Sequence, residues 1–552
     1  MTKSVHPELD SSPLLSITAA GYVHKLFLYH NTINLELDED KEIQREQLLK
    51  AAKDSWAVLI EEEYYFARLA LRGGRTEVRK FFYEGEISDV DIQSEYPACQ
   101  IMDEIELNNS KIPLEFPVGT PTIELFYKED YPCHKHYFYP EKQCDCLYEN
   151  KSREWTRETP ATKPRKMNLI EKFDTPQTIQ SNHEYISTFK GFIMVDVTPP
   201  TNLYHPVLPE FKDFKCMFDL LPKIRKVYTH PELQLAIQKG YQVTKIYRAD
   251  RYKFLPSLWA DLLGTLYKMK LYSSRDAPTD PIERQRFKTT YQKYNIDIDF
   301  NDWGNRPAMK LCAKILLNSA WGKHAESPDH EQTLILSDKD GDSANKFYRD
   351  HLEGKIVPTN MLFLGQNSII KFKESRTEIS YRPKLKTTYL PAAIFCPMYG
   401  RLMLFNHLDK LGERVLMCDT DSIKYITGSP TDYQIPTGDC IGDWETEEPT
   451  NSFVSLGPKT YCQIYPDGKE LMKLKGLSIK YSHEKLINFK VMKELLNNPD
   501  KIVSLPQMTF IYKPTVNLTT HYYLKDLQFQ LEILKGKYDP IKKQLYPLGF
   551  IE

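Results

Sequence analysis

The feature that most constrains this chain is the stretch Val415-Leu416-Met417-Cys418-Asp419-Thr420-Asp421-Ser422-Ile423-Lys424-Tyr425-Ile426. Two runs of strand-forming residues flank a short polar turn, which predicts a β-hairpin. The tip carries two carboxylates one residue apart. Asp in a turn commonly caps its own backbone, so a lone Asp-x-Asp has an ordinary structural explanation. Here the flanking strands are apolar, which places the hairpin within a sheet, and a second acidic motif lies far upstream.

That motif is Asp91-Ile92-Gln93-Ser94-Glu95-Tyr96-Pro97, at the end of a strand-like run from Ile87 to Ile92. Pro97 is expected to stop the strand. Mg²⁺ takes oxygen ligands in near-octahedral geometry, usually one or two carboxylates plus substrate phosphates. Asp91 and Asp421 therefore suit two ions about 3.5–4 Å apart. One would activate an attacking hydroxyl, and the other would hold a triphosphate and the leaving pyrophosphate.

Between the two acidic motifs, Pro307 to Trp321 predicts a helix, with Pro307 in its first turn and Gly322 at its stop. Lys310, Lys314 and Asn318 fall on one face. Met309, Cys312, Leu316 and Ala320 are expected on the buried side. Lys314 would aim at a triphosphate and Asn318 at the nucleotide or its supporting turn. The helix predicted over Leu258–Tyr272 adds Lys268 and Lys270, and two such helices side by side would form a cationic pocket. Past the hairpin come Gly457-Pro458-Lys459-Thr460-Tyr461 and Lys473-Leu474-Lys475-Gly476. On a strand, Lys459 and Tyr461 would face the same side, which suits contact with a nucleic-acid backbone.

The 552 residues bound the chain at about three or four units. The net charge of -2 carries no global sign of nucleic-acid binding. Any basic track is local. From Lys459 to the end there are fifteen Lys, no Arg and nine Asp or Glu, a net of +6. No run reaches the roughly 20 apolar residues of a membrane span, and the polar start Met1–Leu15 is no signal peptide. Ten scattered Cys suggest reduced thiols and an intracellular setting, nuclear or cytoplasmic. Residues 41–71 predict a helix, and Val78–Phe82 predicts a strand. Ala392–Leu411 predicts a helix, and Val195–Leu208 an extended proline-rich segment. Two stretches, about 100–200 and 325–385, are weakly periodic, and the first is expected to be irregular. Cys133, His134, His136, Cys144 and Cys146 cluster in the first, at spacings that fit no standard zinc site.

Taken in order, the motifs resemble those of family B DNA polymerases. The protein-primed branch of bacteriophages, adenoviruses, linear plasmids and Polinton/Maverick elements is the most similar. Asp91-x-x-Ser94-x-Tyr96-Pro97 resembles motif A, Lys314-x-x-x-Asn318-Ser319-x-Trp321-Gly322 motif B, and Asp419-Thr420-Asp421-Ser422 motif C. Lys459-Thr460-Tyr461 resembles the Lys-x-Tyr motif of primer binding. Leu71-Arg72-Gly73-Gly74 resembles the Tyr-x-Gly-Gly linker, and Pro199–Pro209 a Polinton-like stretch.

The resemblance implies an α+β right-hand fold, with an antiparallel palm sheet, helical fingers, a small thumb and two insertions. The expected parts are a start with motif A (1–99), a first insertion (100–225), a palm segment (226–256) and fingers (257–324). A second insertion (325–390), a palm with motif C (391–476) and a thumb (477–552) follow. It implies catalytic Asp91, Asp419 and Asp421, with two Mg²⁺ ions, replaceable by Mn²⁺, on Asp91, the Ile92 carbonyl and Asp421. Tyr96 would be the steric gate beside nucleotide-binding Lys270, Lys314 and Asn318. Lys459, Tyr461 and Lys475 would meet DNA. The implied partners are template and primer DNA, dNTPs, a terminal protein and a separate exonuclease, with no membrane. The implied setting is a viral, plasmid or transposon genome. Glu95 stands where the family has an apolar residue, and Met417 where Tyr is common. No exonuclease acids precede Asp91, so a fragment, a split product or a degenerate copy is expected. Two other readings share part of the pattern: an inactive relic that scaffolds DNA, and a two-metal nuclease.

Overall fold

The computed structural model describes residues 61–128, 168–173, 175–212, 215–256, 259–326, 331–337, 341–364, 367–374, 389–477, 479, 481–512 and 520–551. The Cys133–Cys146 cluster and most of the helix expected over 41–71 lie outside them. That helix is seen over Glu61–Arg68.

The acidic motifs meet in one antiparallel sheet of eight strands. These are β1 (Thr76–Val78), β2 (Phe82–Ile92), β3 (Val415–Asp419), β4 (Ser422–Ile426), β5 (Trp444–Thr446), β6 (Thr450–Gly457), β7 (Thr460–Ile464) and β8 (Glu470–Lys473). Their order is β1-β3-β4-β2-β6-β7-β8, and β5 pairs with the end of β2 that holds Asp91. The β3–β4 hairpin thus sits between β1 and β2. Its run Val415–Cys418 is buried throughout, as a short unbroken apolar run predicts. Val78–Phe82 is not one strand. Arg79 and Lys80 both donate backbone N–H to the Leu416 carbonyl, at 2.7 and 3.0 Å, and this bulge separates β1 from β2.

Five helices matter for the site: α1 (Glu95–Ile101), α2 (Ala260–Tyr272), α3 (Pro281–Gln292), α4 (Pro307–Ala325) and α5 (Leu390–Leu411). Helix α5 is apolar on every side from Leu390 to Gly400, and 19 of its 22 residues are buried. A helix of that composition belongs in the interior, where α5 packs against α1, α4 and the strand Glu115–Leu125. A second core lies under the other face of the main sheet, where Leu416, Met417, Phe453 and Leu456 meet the helix Phe489–Asn497 through Met492 and Leu495.

The stretch expected to be irregular after residue 100 is regular where it is described. Glu115–Leu125, Asn168–Glu171, Gly191–Thr198, Lys223–Thr229 and Gln242–Pro256 form a five-stranded sheet. Two prolines of that stretch sit where strands tolerate them: Pro113 is at a strand end, and Pro121 lies opposite a register shift between Arg251 and Lys253, while Pro117 pairs with Phe254 within Glu115–Leu125. Of the extended segment expected over Val195–Leu208, the first residues complete a strand of this sheet. Segment 226–256 also pairs here and adds no strand to the sheet that carries Asp91. The second stretch likewise folds. Gln332–Ser337, Asn367–Glu374 and Ile356–Leu364 form a three-stranded sheet, covered by helix Gly341–Leu352 over Leu336, Phe347, Ile356 and Ile370.

Candidate active site

Register brings the two acidic motifs together. Ser422 of β4 is the cross-strand partner of Asp91, and Ile92 N–H donates to the Asp421 carbonyl at 2.7 Å. Asp421 therefore stands at the end of β2 beside Asp91. The tip has a left-handed residue, Thr420, at φ 63°. That conformation is strained for a β-branched side chain. It is held by Thr420 N–H donating to the Arg75 carbonyl at 2.7 Å.

The three acids are not equivalent. Asp91 and Asp421 line a cavity of about 710 Å³, together with Ile92 and Tyr96. Burial first, then the charges of Asp421, Glu447, Asp89 and Glu445, push the Asp91 acid up to about 7. Burial also raises Asp421, and Asp419 adds to this against its own backbone hydrogen bond and Lys459. Asp419 itself is occupied. Its Oδ1 accepts from Thr76 Oγ1 at 3.0 Å and from Lys459 Nζ at 2.6 Å.

The contact with Lys459 corrects an expectation. Lys459 and Tyr461 do not share a strand face. Lys459 lies in the β6–β7 turn at φ 63°, exposed and reaching back to Asp419, whereas Tyr461 is buried in β7. The Tyr461 ring lies 5.2 Å from Lys424 Nζ, and Lys424 is paired with Asp89 across β2 and β4. Lys475 is exposed on the turn after β8, away from the cavity.

Pro97 does not stop a strand either. β2 ends at Ile92, Ser94 turns the chain at φ 59°, and Pro97 lies in the first turn of α1, where its missing N–H costs nothing. Ser94 Oγ accepts from Lys270 Nζ of α2. Lys270, Lys310, Lys314 and Asn318 line the cavity opposite Asp91. Burial, then Lys314 and Lys310, push the Lys270 ammonium down to about 8, as expected of crowded cations. Lys268 lies outside the cavity, over Tyr272 at 5.5 Å. The buried face of α4 is Ala313, Leu316, Leu317, Ala320 and His324, while Cys312 is exposed.

Trp321 of motif B and Glu95 of motif A both have physical accounts. Trp321 packs on the Tyr96 ring at 5.0 Å between centroids, and its indole N–H donates to the Ala393 carbonyl at 2.7 Å. A buried Trp needs such a partner. Glu95 is buried against Gly400 of α5, where an added Cβ would lie 2.4 Å from Glu95 Oε1. Burial, and next Asp421, hold its acid well above the ordinary range, which favours the neutral form.

Sequence alone gave no sign of the brace behind the tip. Arg401 of α5 donates from Nη1 to the carbonyls of Arg72 and Gly73, at 2.8 and 2.9 Å. It also pairs with Glu232 at 2.6 Å. The next residue, Gly74, abuts the tip, and a Cβ there would lie 2.5 Å from Thr420 Cγ2. Pro206 accepts from Arg75 Nη1 at 2.8 Å, which places the Pro199–Pro209 stretch behind the same strand. Arg275, Asp439 and Glu445 also line the cavity unforeseen. Asp439, Cys440 and Asp443 could together hold an ion, although Asp439 is ion-paired with Arg275 and Arg286. No described helix is long and apolar enough to cross a membrane, and the seven described cysteines are unbridged.

An antiparallel sheet that presents acids at a hairpin tip, faced by lysine-bearing helices, defines a right-hand polymerase fold. Solved structures agree. The fold is similar to Phi29 DNA polymerase complexed with primer-template DNA and incoming nucleotide substrates, at TM-score 0.52 and 16% identity over 94% of this chain and 68% of that one. The binary complex of the same polymerase matches equally.

In sequence, residues 156–381 match the family described as DNA polymerase type B, organellar and viral. A probable DNA polymerase of Neurospora intermedia is 26% identical over 307 residues, 54% of this chain. One of Ascobolus immersus is 24% identical over 194 residues, 34% of this chain. The chain spans 27% and 15% of those two proteins' lengths. In both sequence and fold, then, the chain resembles the type B DNA polymerases that its motifs pointed to.

Proposed function

We propose that this chain is a DNA-directed DNA polymerase that adds dNTPs to a 3′-hydroxyl on a template by two-metal phosphoryl transfer. The observation that carries this reading is that Asp91 and Asp421 share one cavity with Lys270, Lys310, Lys314 and Asn318. The main sheet would be the palm, α2–α4 the fingers, and the residues after β8 the thumb.

The donor set fits hard divalent cations. Asp91 and Asp421 are oxygen ligands, and the raised Asp91 acid marks negative charge that a cation would relieve. Mg²⁺ ions, replaceable by Mn²⁺, would be held by Asp91, Asp421 and the Ile92 carbonyl. They would supply an activated hydroxyl and stabilise the leaving pyrophosphate. Asp419 would act through Lys459 and Thr76 to position the tip. The three lysines would take the triphosphate, and catalysis is mainly positioning and charge stabilisation. Tyr96, backed by Trp321, would occupy the space of a ribose 2′-hydroxyl.

Template, primer and dNTPs are the partners of this reading, inside a cell. It extends to a terminal-protein hydroxyl for initiation and a separate exonuclease, on the strength of the motif resemblance. Extension of a primed single-stranded DNA by the purified chain with Mg²⁺ or Mn²⁺ tests it. No incorporation by the folded chain, with DNA still bound and Asp421→Asn without effect on binding, would favour the scaffold instead. Two predictions follow from the geometry. Tyr96→Ala is expected to raise ribonucleotide incorporation relative to deoxynucleotide by roughly 10²-fold, read as the ratio of kcat/KM values. Gly74→Ala is expected to lower extension by about 10²-fold, because the new methyl displaces Thr420 and with it Asp421. Circular dichroism should show its fold intact.

A further inference from the structure

One acid lies on the cationic wall of the cavity without a part in this reading. Asp439 sits in the turn between β4 and β5. Its Oδ2 accepts from Arg275 Nη2 at 3.2 Å, and its Oδ1 accepts from Arg286 Nη2. The turn is fastened to the main sheet near Asp91. Gln93 N–H donates to the Asp443 carbonyl at 2.9 Å, and Gly442 N–H donates to the Gln93 carbonyl at 3.0 Å. Arg275 follows α2 and Arg286 lies on α3, so both belong to the helical wall. A separate buried contact, Ile441 N–H to Tyr291 Oη at 3.1 Å, holds the turn to α3 without the arginines. The ion pair is therefore not needed to dock the turn.

Arg275 and Asp439 line the same cavity as Lys270, Lys310 and Lys314. Their contact is at the long end of the hydrogen-bond range, with Arg275 40% and Asp439 29% exposed. A pair so exposed holds weakly. A carboxylate between two guanidiniums also makes the contacts that a phosphate would make, since Arg binds the oxygens of both.

We propose that Asp439 is a displaceable stand-in for phosphate, parking Arg275 at the cavity edge until a nucleoside triphosphate takes that guanidinium over. Arg286 keeps Asp439 paired during the exchange. Arg275 thereby becomes a fourth cation on the triphosphate. This inference rests on the nucleotide reading of the cavity given above.

The test is equilibrium binding of inorganic tripolyphosphate, and of dATP, to the full chain in Mg²⁺, by calorimetry, which needs no turnover. Arg275→Ala is expected to weaken both by about fivefold. Asp439→Asn is expected to tighten both by about threefold, since it frees Arg275. In the Arg275→Ala background, Asp439→Asn should no longer tighten binding. Arg275→Lys, a milder change, should lose about twofold and keeps the test open if the alanine variant does not fold. Unchanged binding in both Arg275 variants overturns the proposal. So does Asp439→Asn weakening binding, which marks the pair as a brace, or no saturable tripolyphosphate binding by the unaltered chain. Primer extension run in parallel keeps the two readings apart. Binding that follows this pattern without extension leaves the inference standing and sinks only the activity.

Discussion

Asp421→Asn is expected to lower primer extension by about 10³-fold or more while raising the stability of the metal-free chain. The two effects share one cause. Asp91 has a folded-state acid pushed up to about 7 by burial and by Asp421 beside it. A carboxyl raised in the folded state binds its proton more tightly there than in the unfolded chain. Its contribution to stability is full below the unfolded pKa, near 4, and is lost as pH rises through about 7. At pH 8 without metal, Asp91 and Asp421 therefore repel, and Asn at 421 removes that repulsion. Mg²⁺ should relieve the same repulsion in the unaltered chain. Its thermal transition should rise on adding Mg²⁺ by roughly 2–4 °C, more at pH 8 than at pH 6. Asp421→Asn should lose most of that rise. A variant that keeps both full extension and the Mg²⁺ shift would show that Asp421 does not hold the ion.

Arg401→Ala is expected to cost about 3–5 kcal/mol of stability, read from the denaturant midpoint. Arg401 and Glu232 are both almost fully buried. Truncation leaves the Glu232 carboxylate with the Thr229 hydroxyl, which donates to it at 2.8 Å, and strips the Arg72 and Gly73 carbonyls of the guanidinium. An uncompensated buried charge is far worse than an apolar replacement of the whole pair. The double change Arg401→Met with Glu232→Leu should therefore recover most of the stability. It should not recover extension, because Arg72 and Gly73 lose the contact that sets the following Gly74 against Thr420. Recovery of both together would reduce Arg401 to a packing residue with no hold on the tip.

Much of the site was legible because its signals are local. The apolar runs on both sides of Asp419 and Asp421 predicted a hairpin, and the structure has strands over Val415–Asp419 and Ser422–Ile426. The four-residue spacing of Lys310, Lys314 and Asn318 predicted a shared helix face, and all three line one cavity. Where local signals were ambiguous, the expectation failed. Pro97 read as a strand stop because a proline can end a strand or begin a helix. Lys459 and Tyr461 read as neighbours on one strand face because nothing local announced a left-handed turn at Lys459. The prolines after residue 100 read as irregularity, although Pro113 ends a strand and Pro121 lies beside a register shift.

By itself, the sequence determined which residues could do chemistry and which elements would carry them, since side-chain type, period and turn chemistry act over a few residues. Only the tertiary structure decided how they pair. Asp91 meets Asp421 because Ser422 registers against Asp91. Asp419 is taken by Lys459 and Thr76, Arg401 reaches Gly73 from the central helix, and Asp439 holds two arginines of the helical wall. Each of these contacts joins segments far apart in the chain. Strand register and helix packing set them, and those follow from burial of the whole core rather than from any one motif.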